Sequence, residues 1–145
     1  MLTLKEDKAQ YLSTSWYRVL YVDTDTMGIV NNAHYFRFFE KARGEYLRQL
    51  NCSYASIEER GIRTPLTEAF AHFYQPFHYD DLIRLETWIS QLKKASFRFD
   101  YRLYKDKENN LRVSGHTLHA TLNWDNKVIK IPDWLLESLF PKKGR

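Results

Sequence analysis

The chain has 145 residues, 43% apolar and 16% aromatic, and its 22 basic and 18 acidic side chains leave a net charge of +4. This fits one globular domain spanning residues 1–145 and excludes a disordered, low-hydrophobicity chain. A lone Cys52 excludes an internal disulfide framework, and no run approaches the roughly 18 apolar residues of a membrane span. Charges among the first ten residues stand where a secretory signal would be apolar, so the cytoplasm is the expected compartment, without integral membrane association. Part of the basic excess lies in Pro141-Lys142-Lys143-Gly144-Arg145, and there is no dense basic stripe or recognised module. Nucleic acid is therefore not an expected partner.

Residues 14–22 read as a strand with Tyr17, Val19 and Tyr21 on one face. The polar segment Asp23 to Gly28 interrupts it. From about Asn32 to Leu50, the residues Tyr35, Phe39, Ala42, Tyr46 and Leu50 recur at helical spacing, with Asn31 and Asn32 as candidate caps. Residues 68–124 are strand-like. Ile83, Leu85, Thr87 and Ile89 alternate with polar or exposed types, as do Phe97, Phe99, Tyr101 and Leu103. Turn chemistry falls at Lys107–Asn110 and Asp125-Asn126. The run 111–124 loses its alternation near Gly115, which predicts a bulge. A short strand from Val128 to Ile131 and a terminal helix from Trp134 to Phe140 complete the chain. One long helix with so wide an apolar stripe requires a curved antiparallel sheet around it, an α+β arrangement. The free edges of such a sheet favour dimerisation.

Chemistry concentrates where the first strand runs into the helix, in the stretch Tyr21 to Tyr35. A helix start offers unpaired backbone N–H groups, and these can hold a polarised carbonyl oxygen. A carboxylate on the other side of that carbonyl can attack it or activate water. Asp23 and Asp25 are the candidates. The same D-x-D pair serves equally as Asx-turns or a helix cap. It lacks the third and fourth oxygen ligands that a cation needs at loop spacing, so no metal is expected.

Residues 23–43, D-T-D-T-M-G-I-V-N-N-A-H-Y-F-R-F-F-E-K-A-R, resemble the signature of the 4-hydroxybenzoyl-CoA thioesterase family, which includes the Tol–Pal-associated YbgC-type acyl-CoA thioesterases. The matching positions are Asp25, Gly28, Ile29, Val30, Tyr35, Phe39, Glu40, Ala42 and Arg43, and compatible sequence extends over residues 15–138. The resemblance implies a hot-dog fold and acyl-CoA substrates, with coenzyme A as part of the substrate and no separate cofactor. It implies Asp25 as nucleophile or general base and the Asn32 N–H as the donor that polarises the thioester carbonyl. Gly28 and Tyr35 are then placed at the substrate, and Asp23 becomes a structural turn former. Lys93 and Lys94, at a predicted turn, are placed to meet the CoA phosphates. The implied assembly is a homodimer with active sites at its interface, or a tetramer of two such dimers.

YbgC-type members usually carry His where this chain has Asn32, and the long-chain acyl thioesterases carry His where it has Ile29. These departures bear on the acyl group more than on the reaction. His34 points about 200° around the helix from Asn32, as expected of a surface or interface histidine. A second branch of hot-dog thioesterases uses a carboxylate on the helix, but Glu40 is expected to pair with Arg43 at i,i+3. His72, His78, His116 and His119 have no metal-ligand spacing, and Cys52 has no evident base partner. Two other readings remain open: a non-catalytic acyl-CoA-binding protein, and a hot-dog dehydratase or hydratase, although no D-x-N-x-x-H motif occurs.

Overall fold

The computed structural model describes residues 11–141. Five strands, β1 (Ser13–Arg18), β2 (Leu66–Phe73), β3 (Leu82–Leu92), β4 (Ser96–Lys105) and β5 (Val113–Ala120), form one sheet in the order β1-β3-β4-β5-β2. Every neighbouring pair is antiparallel. The predicted alternations set its inner face. Ile83, Leu85, Thr87 and Ile89 are buried on β3, and Phe97, Phe99, Tyr101 and Leu103 on β4.

Against this face lies α1 (His34–Gln49), which buries Tyr35, Phe38, Phe39, Ala42, Tyr46 and Leu47. At about 1.5–3 kcal/mol per fully buried large apolar side chain, this stripe is the main attachment of helix to sheet. A short α2 (Tyr54–Glu59) follows, started by Ser53, whose hydroxyl accepts the Ser56 N–H at 3.3 Å. The final helix α3 (Asp133–Leu139) buries Leu135 and Leu139.

Several expectations need correction. The first strand ends at Arg18, and a 3-10 turn at Tyr21–Asp23 leaves Tyr21 exposed. The helix starts at His34, two residues after the predicted position, with Ala33 at the N-cap. Asn31 still closes the preceding turn, its Oδ1 accepting the Ala33 N–H at 2.9 Å. Residues 128–131 form no strand and contribute one bridge, Val128 to Leu122. Gly115 is not a bulge: it pairs in register with Tyr101 and Ala71. The register shifts lie instead between Leu66 and Glu68 and between Ile89 and Gln91. What Gly115 provides is room, since a Cβ there would sit 2.4 Å from the Phe70 carbonyl oxygen and 2.6 Å from the Phe39 ring.

Candidate active site

The chain leaves β1 through the 3-10 turn and makes a small hairpin before entering α1. Thr24 and Val30 pair across this hairpin, the Asp25 N–H bonds the Ile29 carbonyl at 2.9 Å, and the Gly28 N–H returns to the Asp25 carbonyl at 3.0 Å. Gly28 supplies the left-handed φ of +77° that the turn needs, with nothing within 4 Å of the position a Cβ would take.

Asp23 anchors this assembly from beneath. Its carboxylate is fully buried and accepts the Tyr17 hydroxyl at 2.6 Å and the Leu20 N–H at 2.8 Å, and it also meets His34 Nδ1 and Arg37. Burial alone would raise its pKa, but these donors together hold it below the usual carboxylate value. Asp23 is thus a structural hub, and His34 is turned toward it.

Asp25 stands above the hub, exposed. One carboxylate oxygen accepts the Met27 N–H at 2.8 Å, and the other has no partner among the described residues. Asn32, at the mouth of α1, is exposed too. Its N–H makes no hydrogen bond among the described residues, whereas the Ala33 and His34 amides are both taken by Asn31. Around the hairpin, Tyr21, Val22, Met27 and Tyr79 expose apolar surface.

Tyr35 lies elsewhere than expected. It is sealed in the core, and its hydroxyl accepts the Phe77 N–H at 3.3 Å. Phe77 in turn receives the Val30 N–H on its carbonyl, so Tyr35 holds the strand-like segment that backs the hairpin. Lys93 and Lys94 are exposed at the β3–β4 turn, at the far end of β3 from Asp25.

A cavity of about 620 Å³ opens at that far end, under α1 and α2 and over the start of β2 and the end of β5. Glu40, Arg43, Tyr54, Arg63, Leu66 and His119 are among its lining residues. Glu40 is exposed and makes no ion pair among the described residues, so the expected Glu40–Arg43 pair does not form. Arg43 instead turns inward, 7% exposed, donating to the Tyr54 hydroxyl at 3.2 Å and the Tyr101 hydroxyl at 3.1 Å. Spacing alone could not reveal this, because i,i+3 geometry permits the pair without requiring it.

Behind Arg43 runs a chain of one polarity. Tyr101 accepts from Arg43 and gives its own hydrogen to Thr117 Oγ1, 2.6 Å away, because Thr117 spends its single hydrogen on the neutral His119 ring. Thr117 then donates to His119 Nε2 at 2.8 Å, and His119 Nδ1 donates to the Thr64 carbonyl at 3.2 Å. Burial, followed by the nearby Arg43 charge, lowers the His119 pKa to about 4 and keeps the ring neutral, as the chain requires. Both nitrogens are engaged, leaving His119 no lone pair for acid–base work.

Comparison with known proteins agrees with this architecture. The thioesterase-like superfamily matches residues 19–139. The chain is 37% identical over 102 residues to the acyl-CoA thioesterase YbgC of Haemophilus influenzae, spanning 70% of this chain and 73% of that protein. A hypothetical protein from Aquifex aeolicus superposes with a TM-score of 0.83 at 31% identity, over 88% of this chain and 98% of that one. The DHNA-CoA thioesterase of Staphylococcus aureus superposes with a TM-score of 0.80 at 27% identity, over 86% and 87% of the two chains. The chain belongs to the thioesterase-like superfamily and has its hot-dog fold.

Proposed function

We propose that this protein is an acyl-CoA thioesterase that hydrolyses acyl-S-CoA to the free acid and CoA. The carrying observation is the pairing of an exposed Asp25 carboxylate with the unengaged Asn32 N–H, on the two sides of one hairpin at the mouth of α1. Asn32 N–H polarises the thioester carbonyl and holds the oxyanion that develops on it. Asp25 removes a proton from the attacking water, or attacks the carbonyl carbon itself to give an anhydride that water then opens. Either way the C–S bond breaks, and the CoA thiolate leaves with the electron pair. Thiolate is a good leaving group, so no strong general acid is required.

The site works as part of a homodimer, two of which can form a tetramer. Strand β2 is a sheet edge with Leu66, Phe70 and Phe73 exposed, the surface that an antiparallel copy of β2 would cover. Along β2, Leu66 pairs with His119 at the cavity end, and Phe73 pairs with Val113 at the end that leads to Phe77 and the Asp25 hairpin. Two-fold pairing of β2 with its copy therefore brings the cavity of one subunit toward the Asp25 hairpin of the other. It also brings Lys93 and Lys94 to the end they cannot reach within one subunit, because the 11 residues of β3 hold them roughly 30 Å away.

The test is a thioesterase assay over a panel of CoA esters, run beside Asp25→Asn. A loss of at least about 10²-fold in kcat is the expected result. Retained activity in Asp25→Asn together with loss in Glu40→Gln would move the carboxylate chemistry onto α1. Acyl-CoA binding without turnover would identify a non-catalytic binder, and enoyl products a dehydratase or hydratase.

A further inference from the structure

The cavity holds a charge that the proposed reaction does not use. Arg43 is nearly sealed from solvent, and no carboxylate pairs with it among the described residues. Isolated buried charges cost several kcal/mol unless compensated, and two phenol oxygens supply only part of that compensation. A guanidinium has five N–H donors, and two of them are spent on Tyr54 and Tyr101. Tyr54 accepts from Arg43, and its own O–H has no acceptor among the described residues. Donors in this part of the cavity thus outnumber acceptors.

The other charged groups do not correct the imbalance. Among the described residues Arg63 is also unpaired by any acid; it donates to the Trp124 carbonyl at 3.1 Å, and its Nε is buried without a partner there. Glu40 and Glu58 line the cavity and are exposed to water, which weakens their charges, although the Tyr54 pKa is raised by burial and, further, by nearby Glu40. His119 is neutral and committed to its chain. Pro65, Leu66 and Leu122 give the remaining wall an apolar stretch beside Thr64 and Asn126.

We infer that Arg43 and Tyr54 form a carboxylate receptor at the far end of the acyl cavity, so the favoured substrates are carboxyacyl-CoA thioesters. This deepens the proposed thioesterase reading: in the two-fold assembly, an acyl chain whose thioester lies at Asp25 of one subunit runs into the other subunit's cavity. The distal carboxylate then meets a planar fork suited to bidentate contact, with the Tyr54 hydroxyl beside it. The apolar stretch accommodates the methylenes between the two ends.

The native protein tests this in two arms. Calorimetric titration with hexanoate and with 1-hexanol needs no turnover; hexanoate should bind at least about tenfold more tightly, the scale of a charge-assisted contact. Arg43→Met and Tyr54→Phe should each shrink that margin, and melting curves confirm that the variants are folded. Equal binding of the two probes, or a margin unchanged in Tyr54→Phe and in folded Arg43→Met, overturns the receptor. The second arm compares kcat/KM for adipoyl-CoA and hexanoyl-CoA. A preference of at least about tenfold for adipoyl-CoA, reduced in Tyr54→Phe, supports the assignment to the acyl chain. Hexanoyl-CoA turned over as well as adipoyl-CoA, with the hexanoate margin intact, overturns the substrate class and assigns the receptor to a free organic acid. Failure to hydrolyse these or any other ester of the CoA panel while hexanoate binding persists would sink the thioesterase reading and leave the receptor standing.

Discussion

Phe39 of α1 and Tyr101 of β4 stack with ring centroids 4.3 Å apart and planes 7° from parallel. The Phe39 ring fills the space that Gly115 leaves open, and the Tyr101 hydroxyl begins the polar chain that ends at Thr64. Helix, sheet and polar network therefore meet at one point. Gly115→Ala should lower the melting temperature by an amount corresponding to about 1–3 kcal/mol, because the new methyl must displace either the Phe39 ring or the β2 backbone. A melting temperature equal to the native value would contradict that packing.

Acidification should destabilise the fold in two separate windows. His119 has a folded pKa of about 4, below its ordinary 6.5, so between these values the unfolded chain binds the proton more readily. The neutral ring costs nothing above pH 6.5, and stability falls as pH drops toward 4, by up to about 3 kcal/mol. Asp23, whose pKa is lowered, adds its loss at still lower pH, through and below the ordinary carboxylate range. Denaturant titrations at successive pH values should show a shallower slope between pH 6.5 and 4 in His119→Gln than in the native protein.

Replacing Asp23 by Asn keeps the shape and removes the charge that receives Arg37 and the Tyr17 hydroxyl. Hydrogen bonds to a charged group contribute about 1.5–3 kcal/mol each, so this variant should melt below the native protein. Because the Asp23 carboxylate also accepts the Leu20 N–H at the start of the turn that leads into the hairpin, kcat should fall along with stability.

Tyr35→Phe deletes one oxygen and leaves the buried Phe77 N–H without its acceptor, a cost of about 1–3 kcal/mol. Tyr35 acts by positioning, so the activity loss should appear in kcat with little change in KM. A rise in KM alone would instead place the hydroxyl against substrate.

Phe70 lies half-exposed on the β2 edge. If the proposed β2–β2 homodimer forms, Phe70→Lys should shift it to monomer in sedimentation analysis and take the activity with it. A fully active monomer would show that one subunit holds a complete site.

Much of this was legible in the chain because periodicity reports burial directly. The alternations of β3 and β4 and the stripe of α1 place Leu85, Phe99, Phe39 and Tyr46 in the core where the sequence predicts them. Local chemistry was legible too: Asp25, Gly28 and Asn31 each make the turn contacts their types favour. Long-range choices were not. Whether Arg43 pairs outward with Glu40 or inward with Tyr101 depends on a strand 58 residues away. Gly115 looked like a bulge because a residue without a side chain breaks alternation whether it is skipped or merely crowded. The six residues of α2 are too few to show a helical period.

The one-way chain from Arg43 to Thr64 also has a spectroscopic consequence. A hydroxyl in water rotates freely and exchanges its hydrogen too quickly to be detected. Those of Tyr101 and Thr117 have a single permitted orientation, fixed at one end by a cation that cannot accept and at the other by a ring nitrogen that can. Both hydrogens should persist long enough to give resolved proton resonances, and their disappearance on acidification would mark the moment His119 takes up its second proton.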